Sequence, residues 1–450
     1  MSAGPAPFEP VGAAEFATLM DELGLPPAQP ARLAIACSGG ADSLALALLA
    51  RDWCRGKGIS PLALIVDHRL RPESADEARR TEARLVALGI EARTLVRSGP
   101  VPRSNLQEAA RETRYRLLAA ACRAAGIAYL LLAHHRDDQA ETFLLRLGRG
   151  SGVDGLAAMA PVTKRPADEV TLLRPLLGLP RARLRATLEA HGLTWEEDPG
   201  NRNEAFARVR LRRLMPMLAA EGMGARRLAA TAARMRRAKS ALDHYSVRLL
   251  GETATMDQAG FALLDAAGLA DAPEEVGLRA LSRLLMGVSG AARPARLERL
   301  EALHAAIVGA RLGRGRTFMG CRILPWRSRI LIAREERAVA ADLALPETGG
   351  NGLLWDRRFL IRLAPKPGRV LRVGVLEAAH YAALPAPARA AAHHLPSAVR
   401  RTLPALKGLE GVLAVPHLNY CRAPEFHDFS AEFYIASPVA RWPGPGRDLL

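Results

Sequence analysis

The sequence predicts an α/β domain built on a parallel β-sheet with helices on both faces, followed by a helical domain and a small α+β domain. The apolar runs at residues 33–37, 62–66 and 128–132 lack the alternation of a half-exposed strand, and helical patterns separate them. Fully apolar strands joined by helices are typical of a parallel sheet that is covered on both sides. In such a sheet the ligand site lies at the carboxyl ends of the strands.

Strands and helices alternate from residue 33 to residue 148. The pattern predicts strands at residues 33–37, 62–66, 91–96 and 128–132, and helices beginning near Asp42, Glu73 and Asn105. Residues 220–310 are rich in Ala, Leu and Arg and have helical periodicity. After about Arg316, short β-like runs at residues 330–332, 359–363 and 412–415 alternate with Gly and Pro, which favours an α+β domain in which residues 346–352 form a loop.

The composition indicates a cytoplasmic protein with an anionic partner. Hydrophobic residues make up 49% of the chain and charged residues 24%, and no long uncharged apolar run predicts a membrane span. The five cysteines contain no C-x-x-C pair, which favours reduced thiols over a zinc or iron–sulfur site. The formal net charge is +17. An excess of this size favours a polyanion, and nucleic acid is the first candidate.

The polar loop at residues 38–43, Ser-Gly-Gly-Ala-Asp-Ser, lies between the first predicted strand and the first predicted helix. Backbone N–H groups and the positive end of a helix dipole surround an anion-sized space in this position. The two glycines allow a close approach to the backbone, and the two serines add hydroxyl donors. Asp42 suits Mg²⁺ or a substrate ammonium. A plain Gly-Gly turn with an Asp or Ser cap is the structural alternative.

A second polar cluster, residues 134–142, follows the strand at 128–132 and contains two histidines and three carboxylates. On a helix Asp137 and Glu141 are neighbours, since they are four residues apart. This cluster exceeds what helix capping needs. Because the H-E-x-x-H spacing of a zinc site is missing, Mg²⁺ held through nucleotide phosphates is the more natural metal.

Residues 202–239 form a basic segment with eleven arginines and lysines against two acids. A solvated basic helix face is the structural alternative. Because so few acids compensate the charge, we favour contact with phosphates. Four arginines are concentrated at one end of the segment: Arg208, Arg210, Arg212 and Arg213.

Residues 38–43 resemble the PP-loop of the N-type ATP pyrophosphatases, which cleave ATP between its α- and β-phosphates. The more specific resemblance is to the tRNA(Ile)-lysidine synthases. It rests on five segments that occur in the family's order: residues 38–43, 66–71, 134–142, 149–156 and 195–201 running into the arginines at 208–212. The family implies a Rossmann-like PP-loop fold and ligation of free L-lysine to C2 of the wobble cytidine of an isoleucine tRNA, through an adenylated cytidine.

The resemblance implies ATP and Mg²⁺ as cofactors and the following roles. ATP binding is assigned to Ser38, Gly39, Gly40, Ala41, Asp42 and Ser43, with main-chain groups of Val66 and Asp67 near the adenine. Catalysis is assigned to Asp42, His134, Asp137 and Glu141, Mg²⁺ to Asp42 and Asp137, and tRNA contact to Arg208, Arg210, Arg212 and Arg213. The expected domains are a catalytic domain at 1–218, a helical tRNA-contacting domain at 219–315 and an α+β tRNA-binding domain at 316–450.

Two alternatives stay open at this point. One is a PP-loop tRNA thiolase, although sulfur transfer commonly uses paired reactive cysteines and this chain has none in C-x-x-C spacing. The other is an RNA-binding protein with a degenerate ATPase domain. The expected partners are tRNA and free lysine, without a membrane, and the sequence leaves open whether the protein forms a homodimer.

Overall fold

The computed structural model describes residues 8–25, 31–69, 72–98, 106–165, 170–196 and 205–435. The chain forms two compact units, Met1–Lys239 and Ser240–Leu450. Three sequence predictions fall outside the described residues. They are the cap at Asn105 and the parts of the resembling segments at 70–71 and 197–201.

The first unit contains a six-stranded sheet with the order β3-β2-β1-β4-β6-β5. Its strands are β1 (Arg32–Ala36), β2 (Ser60–Asp67), β3 (Glu91–Val96), β4 (Tyr129–Leu131), β5 (Val162–Arg165) and β6 (Val170–Leu173). Its helices are α1 (Ala13–Asp21), α2 (Ala41–Arg55), α3 (Ser74–Ala87), α4 (Leu106–Ala124), α5 (Arg136–Leu147), α6 (Val153–Leu156), α7 (Arg181–Ala190) and α8 (Ala207–Ala220). Helix α9 (Ala225–Thr253) begins in the first unit and ends in the second. All pairs are parallel except β5 with β6.

Alternating side chains of the central strands build two cores, one on each face of the sheet. Leu33 and Ile35 of β1 pack with the apolar face of α2, whereas Ala34 packs with Leu118 and Cys122 of α4. Both faces of the sheet are therefore buried, which explains why the predicted strands lack an alternation of apolar and polar residues. The predicted parallel sheet with helices on both faces is confirmed.

The strand order places the two polar segments side by side. The chain runs from β1 outward to β2 and β3, then returns to β4 on the other side of β1. A crevice opens at such a reversal, at the carboxyl ends of the two strands. Residues 38–40 leave β1 and residues 134–135 lead from β4 into α5 at this edge.

The second unit contains three antiparallel sheets, with the orders β7-β8-β11-β10-β9, β12-β15-β16-β17-β18 and β13-β14-β19. The first two sheets use β7 (Ala254–Asp257), β8 (Phe261–Leu264), β9 (Arg316–Phe318), β10 (Cys321–Trp326), β11 (Arg329–Arg334), β12 (Leu343–Leu345), β15 (Leu371–Val375), β16 (Pro404–Gly408), β17 (Gly411–Val415) and β18 (Tyr420–Cys421). The third uses β13 (Leu353–Trp355), β14 (Phe359–Arg362) and β19 (Ser430–Phe433). The helices are α10 (Ala266–Ala270), α11 (Glu274–Ser289), α12 (Leu297–Val308), α13 (Ala378–Ala383), α14 (Ala386–Ala391) and α15 (Ser397–Arg400).

Two pairs of short strands were not expected from the sequence. In the first unit, β5 and β6 extend the sheet beside β4, and in the second unit β7 and β8 lie within the segment expected to be helical. Each of these strands has four residues, which is too short for a period of hydrophobic residues to be recognised in the sequence. Their burial depends on pairing with a neighbouring strand. The assignment of tRNA contact to residues 219–315 and 316–450 stays a prediction.

Substitution of Gly39 by Ala tests the packing of the 38–43 loop. Gly39 has φ +83°, and an added Cβ would overlap the Oγ1 of Thr81. Gly58 has a similar φ, +68°, but open space around its Cα. We expect Gly58→Ala to lower the free energy of unfolding by about 1–2 kcal/mol through backbone strain, and Gly39→Ala to lower it further. Chemical denaturation measures both, and equal losses would contradict the contact with Thr81.

Candidate active site

The 38–43 loop is held open by its own serines. The backbone N–H of Ser38 donates to the Ser43 Oγ at 3.1 Å, and that hydroxyl donates to the carbonyl of Gly40 at 3.0 Å. Gly40 is the N-cap of α2 and provides no side-chain cap. The first N–H groups of α2 therefore face the loop, where they and the helix dipole favour an anion.

His135 lies between three carboxylates at the base of the site. Its Nε2 is 3.5 Å from Asp42 and 3.4 Å from Asp138, and its Nδ1 is 3.6 Å from Asp137. Arg181 adds a second cation, with its Nε 3.3 Å from Asp42, and its backbone N–H donates to Asp137 at 3.0 Å. The cluster ties the 38–43 loop to the start of α5 and the start of α7.

Burial and the neighbouring carboxylates have opposite effects on the pKa of His135. Burial alone would lower the pKa of His135, but the hydrogen bonds to Asp137 and Asp42 and the charge of Asp138 raise it to about 10. Burial would raise the pKa of Asp137, but His135 and the Arg181 N–H lower it to about 2. The pKa of Asp42 is also lowered, since His135 and Arg181 outweigh its burial. With this pKa the imidazole is positive at neutral pH, where it lies close to all three carboxylates.

His134, the neighbouring imidazole, is neutral. Burial and the positive charges of Arg174, Arg114 and Arg111 lower the pKa of His134 to about 2. Its Nδ1 is shielded from solvent and has no hydrogen-bond partner among the described residues. The two adjacent histidines thus differ in protonation state, and their neighbouring positions in the sequence do not reveal this difference.

Glu141 is buried in an ion pair with one of the arginines of the basic segment. Its carboxylate accepts from Arg212 Nε at 2.6 Å and from Nη2 at 3.3 Å, and the Glu141 side chain is 1% exposed. Burial nevertheless raises the pKa of Glu141, against the effect of Arg212. This contact joins α8 to α5.

A cavity of about 620 Å³ opens at this edge of the sheet. From the 38–43 loop and β2 it is lined by Ser38, Gly40, Ala41, Asp42, Ser43 and Val66. From the remaining chain it is lined by His134, Asp138, Arg208 and Arg212, and by residues that sequence reasoning did not select, including His68, Arg111, Arg114, Arg181, Arg185, Trp195 and Glu196.

The other predicted site residues do not line this cavity. Gly39 faces Thr81, and the buried carboxylate of Asp67 accepts from the Arg69 N–H at 2.9 Å. Asp137 and Glu141 support the site through the contacts described above. Arg210 and Arg213 are exposed on α8.

Asp138 and the arginines of α4 are the main residues that the sequence analysis missed. Asp138 was grouped with the other acids of residues 134–142, and its position as N3 of α5 decides that it faces His135 and the cavity. Arg111 and Arg114 lie on a helix with no nearby polar motif. Their spacing of three residues places them on one helix face.

The structure provides two findings on metals and membranes. Within the described residues, no group of three or more His, Cys, Asp or Glu side chains is arranged to hold a metal ion. The helices in the described part of the chain are too short or too polar to cross a membrane.

The fold and the loop define a PP-loop protein, and the PP-loop domain family matches residues 12–218. The tRNA(Ile)-lysidine synthase of Ruegeria pomeroyi is 41% identical over 350 residues, which cover 78% of this chain and 80% of that protein. That of Bradyrhizobium diazoefficiens is 44% identical over 306 residues, which cover 66% and 83%. The chain belongs to the tRNA(Ile)-lysidine synthase family, as its sequence motifs predicted, and is an ATP-dependent ligase.

A solved structure has a low level of structural similarity to part of this chain. The U34-tRNA thiolase NcsA from Methanococcus maripaludis, with its [4Fe-4S] cluster, has a TM-score of 0.43 at 19% identity, over 49% of this chain and 78% of the thiolase.

Removal of Arg212 tests the ion pair with Glu141. Arg212→Ala leaves a buried carboxylate without its cation, and we expect a loss of roughly 1–3 kcal/mol in the free energy of unfolding. Arg226→Ala, which changes an exposed arginine of the same basic segment in the first turn of α9, is the control and should change it by less than about 0.5 kcal/mol. Adding Glu141→Gln to Arg212→Ala should restore part of the loss. Equal destabilisation by the two arginine variants would contradict the pair.

The charge of His135 is tested by the pH dependence of stability. Because folding raises the pKa of His135 from 6.5 to about 10, its proton-linked stabilisation is complete below the lower value and is lost as pH rises through the upper one. The difference in free energy of unfolding between wild type and His135→Gln should therefore shrink across this window. Urea denaturation at a series of pH values measures it, and a constant difference would indicate a neutral imidazole.

Proposed function

We propose that the protein ligates free L-lysine to C2 of the wobble cytidine of an isoleucine tRNA with a CAU anticodon. Family membership supports the tRNA substrate and the lysidine product. One observation supports the chemistry. The 38–43 loop, the carboxylates of Asp42 and Asp138, and several arginines line the same cavity. A triphosphate, an amine and a nucleotide each have a complementary group there.

The 38–43 loop is proposed to hold the triphosphate of ATP. The N–H groups of the first turn of α2 and the Ser38 hydroxyl are available to phosphate oxygens. Val66 lies at the carboxyl end of β2 on the same cavity, and we assign the adenine to this side. Gly39 and Asp67 act by shaping the loop and the β2 end.

The residues present fit Mg²⁺ held mainly through phosphates. Asp42 and Asp138 both reach the cavity, and Mg²⁺ commonly uses one or two carboxylates together with substrate phosphates. When bound, the ion would neutralise charge on the leaving pyrophosphate. We assign Asp42 to it first, because Asp137 is directed to the Arg181 N–H.

In the first step the C2 oxygen of the cytidine attacks the α-phosphorus of ATP, and pyrophosphate leaves. In the second step the ε-amine of lysine attacks C2, and AMP leaves as the C2–O bond breaks. The target base must leave the anticodon stack to enter a cavity of this kind. Arg208 and Arg212 line the cavity, and Arg210 and Arg213 lie on the same helix, where they can contact the RNA backbone.

Asp138 is proposed to receive the lysine ammonium, and Glu141 to act indirectly by holding Arg212 at the cavity. His134 is proposed to accept the proton that the amine must lose. The low pKa of His134 arises from burial and from nearby arginines. Phosphates that neutralise these arginines raise that pKa, so binding of ATP and RNA makes His134 a stronger base. A cytoplasmic location accords with these substrates.

The decisive experiment incubates the protein with ATP, labelled lysine and bulk bacterial tRNA. Incorporation of lysine label into tRNA, with release of AMP and pyrophosphate, is expected. Incorporation of sulfur instead would favour the thiolase, and RNA binding without ATP turnover would favour a degenerate ATPase domain.

Asp42→Asn should lower tRNA- and lysine-dependent pyrophosphate release by about 10²–10³-fold, the usual effect of removing one electrostatic group at a reacting centre. Asp52→Asn is the matched control, since Asp52 lies on the same helix and pairs with Arg51. It should retain wild-type turnover. Thermal unfolding confirms that both variants fold, and wild-type activity in Asp42→Asn would overturn the role of the loop.

A further inference from the structure

Tyr115 of α4 carries three guanidinium groups around one buried ring. The guanidinium carbons of Arg111, Arg114 and Arg165 lie 5.1, 5.4 and 5.0 Å from the ring centroid. The ring itself is 6% exposed and packs in the core between α4 and the sheet. Its π-face attracts cations, so one side chain gathers residues from α4 and β5 that would otherwise repel each other.

The positive charges of Arg111 and Arg114 are not paired with an acid in the described part of the chain. Arg174, a further neighbour, donates to the Ala160 carbonyl and the Thr163 hydroxyl, both neutral acceptors. Within the described residues, Arg111 and Arg114 form no ion pair with an acid. Burial would raise the pKa of Tyr115, but Arg111, Arg114 and Arg174 lower it. A ring quadrupole cannot neutralise the two full charges of Arg111 and Arg114, so these two residues retain affinity for an anion.

Arg111 and Arg114 line the cavity, as does Arg208 of α8. The cavity therefore has two places suited to phosphate, which differ in chemistry. The 38–43 loop presents backbone N–H groups, whereas the α4 arginines present side-chain forks that can grip a phosphate in two hydrogen bonds.

We propose that Tyr115 is a positioning residue that holds Arg111 and Arg114 as a binding site for a phosphodiester of the substrate RNA. This inference rests on the proposed function, since it assigns the arginines to the strand that carries the target base. The phosphates of ATP are the other source of the same chemistry. The RNA is favoured because Arg111 is exposed at the cavity edge and the basic residue Arg208 continues the surface.

The test compares Tyr115→Phe, which keeps the ring, with Tyr115→Leu, which keeps apolar bulk without the π-face. Filter binding of an isoleucine tRNA transcript at a series of KCl concentrations gives the dissociation constant and its salt slope. Tyr115→Leu should raise the constant about tenfold and reduce the slope by about one, the effect of one lost phosphate contact. Tyr115→Phe should bind like wild type, and the KM for ATP should be unchanged in both.

Arg111→Gln guards against a folding defect in Tyr115→Leu, because Arg111 is exposed. It should reproduce the reduced slope, whereas Arg123→Gln, the same change in the last turn of α4, should not. A wild-type slope in Tyr115→Leu and Arg111→Gln would overturn the proposal, and so would a raised KM for ATP with unchanged tRNA binding. If wild type makes no lysidine yet the slopes change as expected, the proposed function fails and the RNA site stands.

Discussion

The site depends on the contacts between the charged imidazole of His135 and the carboxylates around it. Three carboxylates from two chain segments converge on it, and without a cation they would repel one another in a partly buried space. Arg181 provides the second positive charge, to Asp42. The loop after β1, the start of α5 and the start of α7 are thereby fixed as one assembly at the carboxyl edge of the sheet.

This arrangement divides the cavity into two sides. On one side Asp42 and Asp138 are paired with internal cations, while on the other Arg111, Arg114 and Arg208 make the potential positive. The different protonation states of His134 and His135 follow from this division, since each ring faces a different set of charges.

The sequence alone determined strands β1 to β4 of the first sheet and the position of the candidate site. Fully apolar strands separated by helices require burial on both faces, and a glycine-serine loop directly after β1 must lie at a carboxyl edge. Those signals are local in the sequence, so residues 38–43 and 134–142 could be selected as candidate site segments from the sequence alone. The family was also recognisable, because its five segments occur in order within the first half of the chain.

Tertiary structure decided which members of those segments face the cavity. A one-residue difference turns a helical side chain by about 100°, so adjacent Asp137 and Asp138 take different partners, the Arg181 N–H and the cavity side of His135. Tertiary contacts also made Arg212, a predicted RNA contact, the counter-ion of Glu141. The four-residue strands and the contact of Arg165 with Tyr115 likewise depend on distant chain segments, which no local period encodes.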